Sequence, residues 1–208
     1  MYLFITTVVL NLLIINGLVF LATSLHENWL QYFLLFKTDL FGIRENLHLS
    51  ADKPNLFEPI QLVTYFFSHA NFFHLLFNSL ALVSIGSMVE VSMGVRKFLQ
   101  FYLFVGIMGG ILITFFDPSP NPVLGASVPI SGVLVGFGYY YPDRSLFIFP
   151  IPFPIKSRTL VAGFIGISFL MVLINEQSGI SHFGHLVGAL LGLLYFLVMP
   201  NKAKNKIY

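Results

Sequence analysis

Six apolar segments follow one another along the chain, at residues 2–22, 72–89, 98–116, 127–141, 159–175 and 183–199. A helix needs about 20 residues to cross a hydrocarbon core roughly 30 Å thick. Most of the segments approach that length, so each reads as a membrane-spanning helix. The fourth has only 15 residues, a rise of about 22 Å. Pro118, Pro120 and Pro122 prevent its extension backwards as regular helix. Its first residue is therefore expected below the membrane surface. Irregular backbone at that depth persists only where protein buries it or water reaches it. A recessed polar pocket is expected there, and Ser127 sits at its mouth in the run Gly125-Ala126-Ser127.

Composition agrees with the pattern. Of 208 residues, 56% are hydrophobic and 10% charged, and mean hydropathy is +0.83. Soluble domains carry about 25% charged residues. So little charge cannot cover a water-facing surface, so the chain is expected to be an integral membrane protein whose surroundings are lipid bilayer. The absence of cysteine excludes disulfides, thiolate chemistry and cysteine-based zinc sites. The formal charge is only +2, and no nucleic-acid partner is expected. The first segment lacks a basic leader and a clear small-residue cleavage site, so it reads as a retained span.

Loop charges set an orientation. Arg96 and Lys97 follow the second segment, Arg144, Lys156 and Arg158 lie between the fourth and fifth, and Lys202, Lys204 and Lys206 follow the sixth. With alternating spans all three groups share one side, which the positive-inside rule makes cytoplasmic, together with both termini. The expected fold class is all-α: a polytopic membrane protein, a six-transmembrane-helix bundle forming one domain over 1–208. Its expected parts are a first span at 2–22, a long outer loop at 23–60, spans two to six within 66–199 and a short cytoplasmic tail at 200–208. The outer loop alternates apolar and polar residues around Trp29, Phe33–Phe36 and Phe41, which suits an interfacial helix or a helical hairpin packed on the core. Pro150, Pro152 and Pro154 make 142–154 an extended turn rather than a helix.

Ionisable residues inside a membrane are costly and mark function or pairing. Here His69, His74, Asn78, Ser127, His182 and His185 all fall in the outer half of the expected bundle. His74 and Asn78, four apart, share a helix face. The four histidines lack an i, i+4 pair, no HExxH occurs, and no carboxylate is expected beside them, which argues against a metal centre. No cofactor is expected. Gly132 and Gly136 in the fourth segment, and Gly184, Gly188 and Gly192 in the sixth, follow the small-xxx-small spacing of closely packed helices. Close backbones would bring Ser127 within reach of His185, as a nucleophile and its base require.

The stretch EPIQLVTYFFSHANFFHLLFNSLALVSIGSMVEVSMG carries an HxxxxHxxxN pattern at His69, His74 and Asn78, followed by Glu90 and Gly94. LGAS stands at 124–127 and GHLVGALLG at 184–192. Across about residues 58–199 the chain resembles the rhomboid family of intramembrane serine proteases. The resemblance implies a rhomboid-like bundle with Ser127 as nucleophile and His185 as base. It implies that His74 and Asn78 stabilise the oxyanion and that His69 and Glu90 are structural. It further implies single-span transmembrane protein substrates cut near the outer face, in a bacterial cytoplasmic membrane. Two positions depart from the family. Val128 and Pro129 follow the serine where glycine is usual, suggesting a bulkier pocket floor. Ser131 stands where an aromatic ring usually lies beside the histidine. Two other classes remain open: an inactive rhomboid-like protein that binds membrane clients, separable by fluorophosphonate labelling, and a solute transporter, separable by flux in liposomes. The sequence leaves the natural substrate and the oligomeric state open.

Overall fold

The computed structural model describes residues 4–30, 32–36, 57–117, 119, 121–147, 152–174 and 180–199. Residues 37–56 of the expected outer loop and the expected tail at 200–208 lie outside them. Nine α-helices are described: α1 (Thr7–Leu25), α2 (Glu27–Leu30), α3 (Gln61–Thr64), α4 (Phe72–Ala81), α5 (Ser87–Met93), α6 (Val95–Phe116), α7 (Ser127–Tyr140), α8 (Ser157–Leu173) and α9 (His182–Val198). A π-turn at Leu82–Gly86 joins α4 to α5, making one apolar rod over Phe72–Met93. That rod, α1 and α6 are long and apolar enough to cross a membrane. The helices α8 and α9 are apolar but shorter, at 17 residues each. Phe72, Phe73, Phe77 and Leu197 are each at least 60% exposed. Such faces would be a liability in water and are the ordinary surface of a helix in lipid.

The central element is α7. It begins at Ser127 because the chain arrives through Pro122 and a left-handed Gly125, φ +111°, a conformation that favours glycine. Pro129 sits in its first turn, where its missing N–H is no loss. Every residue from Val128 to Phe137 is buried, so α7 is wrapped by its neighbours. It stops before Pro142, which disfavours helical geometry at Tyr141. The ends of the following segment form a small antiparallel pair, Ser145–Leu146 with Ile155–Lys156, while residues 148–151 of the expected turn, Pro150 among them, lie outside the described residues. Several boundaries moved: α1 runs on to Leu25, the second apolar rod to Met93, and α8 begins at Ser157. The third apolar segment begins at Val95 rather than 98, because Gly94 at φ +82° makes the corner one residue earlier. Residues 32–36 are not helical: Leu35 is fully buried and bridges Val123 instead.

Packing of α7 on α9 is set by glycine. A Cβ on Gly188 would lie 2.1 Å from the Val128 carbonyl oxygen, and one on Gly192 would lie 2.7 Å from Gly132 Cα. Neither position can carry a side chain without parting the helices. The core around this contact is aromatic, with Tyr65, Phe66, Phe98, Phe101 and Tyr102 fully buried.

Glu90 is the charged anchor of the first helix. It is 2% exposed. Its carboxylate accepts from the Thr6 hydroxyl, from Val8 N at 3.1 Å and from Val9 N at 3.0 Å. These are the otherwise unpaired donors of the α1 N-terminus, and a negative charge there also suits the helix dipole. Glu90→Ala is expected to destabilise the fold by on the order of 3 kcal/mol, since hydrogen bonds to a charged group are lost and buried donors are left unpaired. Thermal unfolding in detergent would show it; an unchanged Tm would mean that α1 does not depend on this cap.

Candidate active site

Two backbone contacts hold the chain as it enters α7. Leu35 and Val123 exchange hydrogen bonds, at 2.9 Å from Leu35 N and 3.1 Å from Val123 N. Two residues on, Gly125 N donates to the Tyr65 carbonyl at 2.8 Å. Tyr65 is itself fixed, because its hydroxyl donates to Gly106 O at 2.8 Å. The position of Ser127 is thus set by pieces of chain far away in sequence. The free N–H groups of the first turn of α7 add a positive dipole end beside the serine.

The first two turns of α4 present His74 and Asn78. Asn71 caps that helix by accepting from His74 N at 2.9 Å. His74 Nδ1 accepts a long hydrogen bond, 3.5 Å, from Ala70 N. An accepting Nδ1 leaves the proton on Nε2. That nitrogen faces the LGAS loop: a Cβ on Gly125 would sit 2.6 Å from it. Gly125 therefore serves twice, as the left-handed corner and as the gap that admits the imidazole. Asn78 Nδ2 is buried without a hydrogen-bond partner and lies 3.8 Å from the same point. A buried donor left unpaired is expensive unless something else occupies it. The ring of His69, buried against His74 at 5.1 Å between centroids, backs this pair.

On the opposite wall α9 begins with its own cap. Ser181 Oγ accepts from Gly184 N at 3.1 Å, and Ser181 O accepts from His185 N at 3.0 Å. This turn presents His182 and His185, whose rings meet edge to face at 6.0 Å.

Between the walls lies a cavity of about 490 Å³ lined by Ser127, His74, Asn78, His182 and His185 among others. All four residues expected to do chemistry share it. Among the described residues no hydrogen bond joins Ser127 Oγ to the His185 ring. Catalytic hydrogen bonds often tighten only once substrate is bound. Among the described residues no three histidine or carboxylate side chains gather as a metal ion would require.

Three details differ from the sequence-based expectation. Asp117, 5% exposed, lines the same cavity, so a carboxylate does lie in this half of the molecule. Its place directly after an apolar segment and before Pro118 was the available signal. Val128 is not the pocket floor. It is fully buried and points away from the cavity into the gap left by Gly109 and Gly184, whose added Cβ atoms would meet it at 2.5 and 3.1 Å. Ser131 turns its hydroxyl back to Ser127 O at 2.7 Å. The aromatic neighbour of His185 is instead Phe164 of α8, at 5.4 Å between ring centroids. Sequence reasoning missed Leu35, Tyr65 and Phe164, because each acts through a contact between distant segments.

A largely apolar helical protein, with three helices long enough to cross a membrane and a cavity lined by Ser127, His74, Asn78 and His185, defines a class of integral membrane protein. A family model described as Rhomboid domain matches residues 56–202. The chain belongs to the rhomboid family. It is 36% identical over 151 residues to Rhomboid protease GluP of Bacillus subtilis, covering 71% of this chain and 27% of that protein. It is 28% identical over 162 residues to Rhomboid protein 1, mitochondrial, of Saccharomyces cerevisiae, covering 71% and 44% respectively. It is 32% identical over 146 residues to Putative rhomboid protease YdcA of Bacillus subtilis, covering 70% of each. The chain thus spans less than half the length of the first two relatives.

Proposed function

We propose that this chain is an intramembrane serine endopeptidase in which Ser127 is the nucleophile and His185 its base. The observation that carries the reading is the shared cavity: Ser127 at a helix N-terminus, His185 in the first turn of α9 and the unpaired amide of Asn78 all line it. His185 takes the Ser127 proton as Oγ attacks a substrate carbonyl carbon. The tetrahedral oxyanion is met by the Ser127 backbone N–H, Asn78 Nδ2 and His74 Nε2. His185 then gives its proton to the leaving amine. Water then attacks the acyl carbon as His185 takes its proton; the acyl–Oγ bond breaks, His185 returns the proton to Ser127 Oγ and the new carboxyl terminus leaves.

Six spans in one membrane domain over 1–208, with α7 to α9 as the shorter three, complete the reading. The basic loops put both termini on the cytoplasmic side of a bacterial membrane. The cavity then opens to the outer side, where single-span membrane proteins with locally unwound helices would enter. Val128, buried between helices and away from the cavity, gives no reason to expect inactivity.

Fluorophosphonate labelling of wild type beside Ser127→Ala tests the assignment directly. Label on wild type alone supports it; equal labelling of both refutes it. Asn78→Ala should leave KM nearly unchanged and lower kcat by about 10²-fold, the cost of one oxyanion donor. An unaffected kcat would place the oxyanion elsewhere.

A further inference from the structure

A histidine acting as general base must hold one nitrogen toward the nucleophile throughout the cycle. In many hydrolases a carboxylate or carbonyl does this by binding the other nitrogen. Among the described residues no hydrogen bond reaches either ring nitrogen of His185. The imidazole is held by what it packs against. On its own helix it meets His182 edge to face, at 6.0 Å and 88°. From α8 it meets the ring of Phe164 at 5.4 Å, the two planes inclined by 33°. Helix α7 supplies no ring one turn below the serine: Ser131 is there, 2% exposed, with its hydroxyl bound to its own helix backbone.

We propose that Phe164 is the positioning residue for His185, a ring delivered from α8 that fixes the imidazole plane and so the aim of its basic nitrogen. The two rings are in tilted contact, and Phe164 stands in the way of rotation of the imidazole about its Cβ–Cγ bond. The π-face of Phe164 also favours the imidazolium formed once the Ser127 proton has moved. Phe164 is partly buried and packed on the core, so its own place is fixed from behind. A consequence is that the geometry of the dyad depends on the seating of α8, whose only buried residues are Ser157 and Ser168. The proposal rests on the reading of His185 as the base.

Phe164→Leu is the informative variant, because it keeps apolar bulk and removes the ring; Phe164→Tyr restores a ring. In the full chain in detergent, kcat and KM on a cleaved transmembrane substrate are measured beside Tm. Phe164→Leu is expected to lose kcat by about 10- to 100-fold, in line with a small misplacement of a catalytic group. KM and Tm should stay near wild type, and Phe164→Tyr should recover most of the lost rate. The second measurement is NMR of protein carrying ¹³C,¹⁵N-labelled histidine. His185 should show one ring orientation, read from the NOE contacts of its Hδ2 and Hε1 protons, in wild type and Phe164→Tyr, and averaged contacts in Phe164→Leu. That readout follows orientation even in the Ser127→Ala background. A wild-type kcat and an unchanged ring orientation in Phe164→Leu would overturn the proposal while leaving the protease reading intact. Cleavage or labelling by Ser127→Ala at the wild-type level would instead sink the protease reading.

Discussion

Ser127→Ala and His185→Ala are each expected to abolish proteolysis, with kcat falling on the order of 10⁶-fold if the pair acts as a unit, as in the subtilisin series. The reason is chemical. Without the hydroxyl there is no acyl-enzyme, and without the imidazole the hydroxyl stays protonated in an apolar setting where an alkoxide is far out of reach. Neither change should unfold the protein. Ser127 contributes its backbone carbonyl, not its side chain, to the bond from Ser131. His185 is held in the helix by its backbone N–H to Ser181 O. A purified variant with wild-type Tm and no cleavage of a reconstituted substrate is the expected result. The double variant should be no worse than either single one. Measurable cleavage by Ser127→Ala at the wild-type rate would remove this serine from the mechanism.

How far the sequence carried the argument depended on the range of the interaction. The start of α7 was legible because its signals are local: the prolines upstream, the glycine at 125, and an apolar run too short to span in full. The convergence of His74, Asn78, Ser127 and His185 was legible from alternation, since successive helix ends must fall on opposite sides. The direction of Val128 was misjudged, although a step of about 100° per residue around a helix turns position 128 away from whatever 127 faces. That step carries it to the gap at Gly109 on α6. The Leu35–Val123 bridge was not legible, because it pairs two irregular segments with no periodic pattern to align. Phe164 was not legible either. Helix α8 is apolar on nearly all sides, so nothing in its pattern says which residue turns toward His185. The same uniformity hides the π-turn at Leu82–Gly86, which leaves the apolar run unbroken.

Gly188→Val is expected to damage stability and catalysis together, and to do so more than any other single helix glycine substitution away from the catalytic pair. A Cβ at 188 would sit 2.1 Å from Val128 O, 3.0 Å from Val128 C and 3.1 Å from Ser131 Cβ. Two of those neighbours are backbone atoms, which have no rotamer to yield, so α9 must move off α7 by more than about 1 Å to restore ordinary contact distances. Overpacking typically costs 1–3 kcal/mol, and the branched side chain sits at the upper end of that range. The displacement also bears on the reaction. Val128 is the residue after Ser127, the proposed nucleophile, and His185 lies one turn before position 188 on the same helix. Separation of about 1 Å between catalytic groups can cost on the order of 10²-fold in rate. Gly163→Ala and Gly166→Ala on α8 are the matched comparison, because an added Cβ there meets nothing within 4 Å. Those two should keep wild-type kcat and Tm. Melting curves in detergent and kcat on a reconstituted substrate would separate the cases. A Gly188→Val protein with wild-type Tm and turnover would mean that α7 and α9 are not in backbone contact, and that Ser127 and His185 are brought together by something other than these glycines.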